Sequence, residues 1–182
     1  PLPELPPLKI QFPLRLFLVL VLTGFASAGR AAEAFLKPND VVAFVGSEDT
    51  AVAAEFGQLE LRLTRAWPDY RLKFRSLAWE GDTVYQQVRD LNYPTLEQQL
   101  DGIGATVVIV QFGQLESLAG EARLPDFVAA YEKLIARLSG GGKRKVVLQG
   151  PTPIVADSPT AARFKSLPAY TEAVRAIAQH KE

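Results

Sequence analysis

Val41-Val42-Ala43-Phe44-Val45-Gly46-Ser47-Glu48-Asp49-Thr50 decides how the chain is read: five apolar residues run without interruption, then break into a glycine-led polar turn. An apolar, β-branched run of this length is the pattern of a strand covered on both faces. Glycine permits a sharp exit from the strand, and the backbone N–H groups beyond it open a helix. Parallel α/β sheets gather their chemistry at this end of the strands.

Outward from this run, strand and helix patterns alternate. Phe56, Leu59, Leu63 and Trp67 recur at helical spacing and predict one helix from Ala51 to Trp67, ended by Pro68-Asp69. Leu72, Phe74 and Ser76 alternate with Arg71, Lys73 and Arg75, as on a strand near a sheet edge. A short helix is expected over Thr95–Ile103, with Leu96, Leu100 and Ile103 inward, and the strongest strand over Thr106–Phe112. Phe127, Tyr131, Leu134 and Leu138 share one face of a helix over residues 125–138, which Pro125 opens and the triplet Gly140-Gly141-Gly142 closes. Lys145–Leu148 reads as a fourth strand, Ser158-Pro159 as a cap and first turn, and Pro168–Gln179 as a last helix with Tyr170, Val174 and Ile177 inward. Trp67 and Phe127 read as core residues. Strands separated by helices imply right-handed crossovers. The expected fold is α/β: a three-layer α/β/α sandwich on a mostly parallel, doubly wound, flavodoxin-like sheet.

The chain's 182 residues suffice for one domain with a sizeable core. Lysine plus arginine balances aspartate plus glutamate at 20 each, so no global field recruits nucleic acid. The local run Lys143-Arg144-Lys145 reads as a solvated turn. Cysteine is absent, which excludes disulfides, thiolate catalysis and zinc–thiolate sites. Phosphate-loop and dinucleotide-binding glycine motifs are absent as well, and no cofactor is implied.

At the N-terminus, Lys9 and Arg15 precede Leu16-Phe17-Leu18-Val19-Leu20-Val21-Leu22, and Ala26-Ser27-Ala28 follows. Residues 1–28 are expected to be a secretory signal, the alternative being an N-terminal anchor. The run is shorter than the roughly 20 apolar residues that span a bilayer, so no stable membrane span is expected after signal removal. The remainder, 36–182, is expected to be one exported domain, periplasmic or extracellular. The chain opens on Pro1 and holds no methionine, so a fragment is expected, with truncation at its far end as one reading of the missing late Asp-x-x-His block.

Three turns follow strands in this pattern: Gly46-Ser47-Glu48-Asp49, Trp79-Glu80-Gly81-Asp82-Thr83 and Phe112-Gly113-Gln114-Leu115-Glu116-Ser117. Their order over residues 36–155 resembles the SGNH, or GDSL-type, esterase and lipase superfamily. That family has a nucleophile block after the first strand, a glycine block after the second and a Gly-x-Asn-Asp block after the third. The resemblance implies a nucleophile in the first turn, Ser47 or a water activated by Glu48. It also implies an oxyanion donor at the Gly81 N–H and a further contact from Gln114. The pattern departs from the family at Glu48, which occupies the serine slot, and at Leu115, which occupies the asparagine slot. It departs again in lacking a late Asp-x-x-His block. The one histidine, His180, has the context of a polar helix end. Ser47 has a structural alternative, the cap of the following helix.

Asp49, Trp79, Asp82 and Glu116 are candidate ligand-binding residues, because carboxylates accept hydrogen bonds from sugar hydroxyls and aromatic faces stack on pyranose rings. The same acids could hold a hard cation, although no metal site is assigned. The expected function is an exported SGNH-like hydrolase of ester bonds, acyl groups on carbohydrate among them, with a small-molecule ester or carbohydrate as its partner. The alternative is a non-catalytic saccharide-binding or accessory domain that keeps the fold without a complete triad.

Overall fold

The computed structural model describes residues 35–87, 89 and 91–180. The expected signal segment lies outside the described residues. All described residues but Phe35 belong to one compact unit, Leu36–Glu182.

Four strands form one sheet: β1 (Val41–Gly46), β2 (Lys73–Ser76), β3 (Val107–Gln111) and β4 (Lys145–Gln149). Their order is β2-β1-β3-β4 and every pairing is parallel. This is the doubly wound arrangement expected, reversing direction between β1 and β3. The register sets Phe44 beside Ile109 and Gly46 beside Gln111, so β1 and β3 end level with each other. Every residue of β3 is buried, whereas β2 lies at the sheet edge and is mostly exposed. That contrast follows from the continuous apolar run in one and the alternation with arginine and lysine in the other.

The described residues also form six α-helices: α1 (Glu48–Glu55), α2 (Gln58–Ala66), α3 (Leu96–Gly102), α4 (Gln114–Ser117), α5 (Leu124–Ser139) and α6 (Leu167–Gln179). On one face of the sheet, Ala43, Val45, Val108 and Val110 share a core with Leu96 and Leu100 of α3, Phe127, Tyr131, Leu134 and Leu138 of α5, and Tyr170, Val174 and Ile177 of α6. Its aromatic centre is Phe127, whose ring centroid lies 5.4 Å from that of Tyr131 and 4.8 Å from that of Tyr170. Side chains alternate along a strand, so Val42, Phe44 and Gly46 face the other way. There Phe44 stacks on Phe74, and Gly46 lies against Thr50 of α1. Helices on both faces make three layers.

Local chemistry places the helix ends. Thr95 and Gln98 form a capping box at the start of α3. Gly140 closes α5 in the left-handed conformation, where a Cβ would lie 2.5 Å from the Arg144 guanidinium.

Four expectations need correction. The helix expected from Ala51 to Trp67 is two helices, because Gly57 takes a left-handed φ of 61° between them, and Phe56 beside that break is exposed. Trp67 is half-buried at the end of α2, near Tyr70, and is not a core residue. The run 143–145 is not wholly solvated: Arg144 is buried, donating from Nε to the Leu138 carbonyl and from Nη1 to Asp101. Ser158-Pro159 opens no helix; Ser158 shares a hydrogen bond with Thr160, and a short 3-10 turn follows at Ala161–Phe164. Among the described residues, no helix is long and apolar enough to cross a membrane.

Candidate active site

The first turn leaves β1 at Gly46, where only glycine fits: a Cβ would stand 2.3 Å from Thr50 Oγ1 and 2.7 Å from the Gln111 carbonyl oxygen. Ser47 occupies the N-cap position of α1, but its hydroxyl caps no helical N–H. Instead Ser47 Oγ donates to Glu48 Oε2 at 2.5 Å. Asp49 Oδ2 is buried with no hydrogen-bond partner. Thr50 Oγ1 donates to Gln111 Oε1 at 2.8 Å, and Gln111 Nε2 donates to the Gly150 carbonyl at 2.9 Å. One amide thus ties the first turn to the chain leaving β4.

The third turn opens at Gly113, with φ 120° and a Cβ position 2.9 Å from Pro151 Cγ. Glu116, one turn on, points back. Its Oε2 accepts the Gly113 N–H and its Oε1 accepts the Val84 N–H, both at 2.8 Å. Burial, with Glu48 adding to it, raises the pKa of this carboxyl against the pull of these two amides and its own. Gln114 Oε1 is a second buried acceptor without a partner.

The second turn joins the same rim through its backbone, Trp79 N–H donating to the Gly46 carbonyl at 3.1 Å. Two of its side chains are engaged by Arg89. Asp82 is buried and takes both Arg89 Nη1 and Nη2, at 2.8 and 2.9 Å. The Arg89 guanidinium carbon also lies 5.1 Å from the centre of the Trp79 ring. Gly81 is exposed with φ 82° and has open space where a Cβ would sit.

Between the first and third turns lies a crevice of about 220 Å³. Of the candidates, it brings together Ser47, Glu48, Asp49, Gln114 and Glu116. Gly81, Trp79 and Asp82 do not line it, and neither does His180, which ends α6. Three lining residues were not singled out from the sequence: Gln111, Pro151 and Phe164. Gln111 had a signal, as the polar residue near the end of an otherwise apolar strand. Among the described residues, no group of three or more histidines, aspartates or glutamates is disposed to hold a metal ion.

No family model matches this chain, and no curated protein matches it. Solved structures do. A gut microbial diltiazem-metabolizing enzyme superposes with a TM-score of 0.52 at 17% identity, over 80% of this chain and 34% of that one. The psychrotrophic esterase EstA from Pseudoalteromonas sp., solved inhibited by monoethylphosphonate, gives 0.52 at 14% identity, over 78% of this chain and 73% of that one. A family two carbohydrate esterase from Clostridium thermocellum, in an active-site mutant form, gives 0.49 at 14% identity over 80% and 50%, and adds nothing to the fold assignment. The chain spans about a third of the first of these proteins. At such identities the likeness is one of fold. The three-layer α/β architecture expected from the alternation of strands and helices is the one found, and its fold is shared with the esterase EstA.

Proposed function

We propose that this protein is an ester hydrolase that uses a Ser47–Glu48 pair where related folds use a histidine-based triad. The observation that carries this reading is the 2.5 Å hydrogen bond from Ser47 Oγ to Glu48 Oε2, two residues that line the crevice. A serine nucleophile needs a base within hydrogen-bond reach, and a carboxylate can fill that role. As Ser47 Oγ bonds to the ester carbonyl carbon, Glu48 takes its proton. The alkoxide then leaves with that proton, and the acyl group stays on Ser47. Water then attacks the acyl carbon and gives a proton to Glu48; the bond from Ser47 Oγ breaks, Oγ takes that proton back, and the carboxylic acid leaves. The charge on the carbonyl oxygen is met by the first-turn N–H groups of α1, which have no helical partner of their own, and by the Gln114 amide.

The crevice also speaks to the alcohol half of the substrate. Asp49 Oδ2 and Gln114 Oε1 are buried acceptors without donors, a state that costs roughly 1–3 kcal/mol each when left unmet. Hydroxyl groups would meet both, which favours an acylated carbohydrate. The same two atoms support the second reading, a saccharide-binding domain without turnover. Export, which the pattern from Lys9 to Ala28 motivates, belongs to this proposal too; an isolated mature form beginning at Gly29 is its check.

Hydrolysis of short-chain aryl esters tests the catalytic reading. Ser47→Ala and Glu48→Gln are each expected to lower kcat by about 10²–10⁴, and Gln114→Ala by about 10²–10³. Rates indistinguishable across the set would remove the proposed site. Calorimetric saccharide binding that is lost in Asp49→Ala, from a protein with no ester turnover, would favour the second reading.

A further inference from the structure

We propose that Glu116 is a positioning residue: its carboxylate clasps the turn after β2 to the turn after β3 and so fixes the shape of the crevice beside Ser47. The geometry is specific. Each carboxylate oxygen accepts one amide hydrogen, Val84 N–H on one turn and Gly113 N–H on the other, both at 2.8 Å. These two residues are 29 positions apart in the chain, and Glu116 is the side chain that joins them. Val84 is buried in the main core, so the clasp ends on a fixed point rather than a loose loop. Gly113 opens the turn that carries Gln114, and its N–H is thereby committed to Glu116 rather than to a ligand.

The surroundings of this carboxyl say what kind of device it is. Among the described residues, no ion pair includes it. The charged group that bears on it is Glu48 of α1; the Glu116 charge in turn bears on Tyr85, Tyr131 of α5 and Tyr170 of α6, and Arg123 acts on Tyr85 and Tyr170 in the opposite sense. Burial and the Glu48 charge together outweigh the backbone amides of Val84, Gly113 and Glu116 itself, so the folded protein holds this proton to a higher pH than the unfolded chain does. The contribution of this group to stability is therefore full below the ordinary carboxylate range and is lost as pH rises through the raised pKa. Ionised, the group costs stability, yet only the ionised form presents two good acceptor oxygens. A charge kept at such a cost, with one oxygen on the Gly113 N–H in the crevice lining and the other on the core residue Val84, fits positioning better than it fits core stability.

The clasp rests on no hydrolytic step, although its consequence for rate rests on the reading of Ser47 as nucleophile. The test is therefore split. Amide hydrogen exchange of the whole protein, read by NMR as protection factors, reports the clasp alone. In the wild type at pH 8, Val84 and Gly113 are expected to be protected together. Lowering the pH into the carboxylate range should cut protection at one of them by about tenfold or more, while Val108 and Val110 in β3 stay unchanged. Glu116→Gln, which keeps a single acceptor oxygen, should show that loss at both pH values. Its stability gap from the wild type in urea should narrow as pH rises. Protection of both amides that ignores pH and substitution would overturn the proposal; so would a loss shared equally by Val108 and Val110, which would mark a purely structural role. Ester turnover is the separate arm. If Glu116→Gln loses protection and ester turnover is absent even in the wild type, the clasp stands and the hydrolase reading falls.

Discussion

The turns after β1 and β2 leave neighbouring parallel strands at the same rim, and both carry acids beside small residues, yet their polar groups end in opposite conditions. After β2, Asp82 is buried in a two-pronged bond to Arg89, whose guanidinium also covers the Trp79 ring. After β1, Ser47 is bonded only to its neighbour Glu48 among side chains, and Asp49 Oδ2 is buried with no partner. The first arrangement is closed upon itself; the second keeps capacity for something else. Acidic residues at strand ends thus fall into two kinds, and partnership rather than residue type tells them apart.

The largest effect expected from breaking this contrast is in the closed turn. Asp82→Ala leaves Arg89 without its carboxylate in a site where their side chains are 3% and 9% exposed. It should cost about 3–5 kcal/mol in urea unfolding. A loss below 1 kcal/mol would mean that the ion pair does not hold the second turn. Next comes Gly46→Ala, whose new methyl meets Thr50 and the Gln111 carbonyl. About 1–3 kcal/mol is expected, with greater exchange at the Thr50 amide as the local sign. Trp79→Ala should cost only about 0.5–1 kcal/mol, the worth of an exposed cation–π contact, and leave ester turnover unchanged; a large rate loss would move the ligand towards the second turn. Smallest of all, Ser47→Ala should change stability by about 0.5 kcal/mol or less, since its hydroxyl caps no helix. A larger drop would return Ser47 to a structural role.

Much of this architecture is legible along the chain, and the reason is periodicity. Phe127, Tyr131, Leu134 and Leu138 announce α5 and its inner face, and all four are buried there. Val107–Gln111 announces a strand covered on both sides. Where one residue overrides a pattern, the reading slips: Gly57 splits a helix that Leu59, Leu63 and Trp67 would otherwise continue. Arg144 misleads for a different reason. Its neighbours Lys143 and Lys145 are exposed, but its own guanidinium reaches back to Asp101, 43 residues away. The site shows the same limit. That three turns share a rim follows from strand order, whereas the bonds from Glu116 to Val84 and from Gln111 to Gly150 span 32 and 39 residues and leave no local trace. Phe164 joins the crevice from beyond β4 for the same reason.

The central claim is that Ser47 is the nucleophile of this crevice, and covalent capture tests it most directly. After exposure to an activated alkylphosphonate ester, the mass of the intact protein should rise by one phosphonyl group. Peptide mapping should place that group on Ser47, and Ser47→Ala should stay unmodified. An adduct on another residue, or none under conditions that label a known serine esterase, would contradict the account.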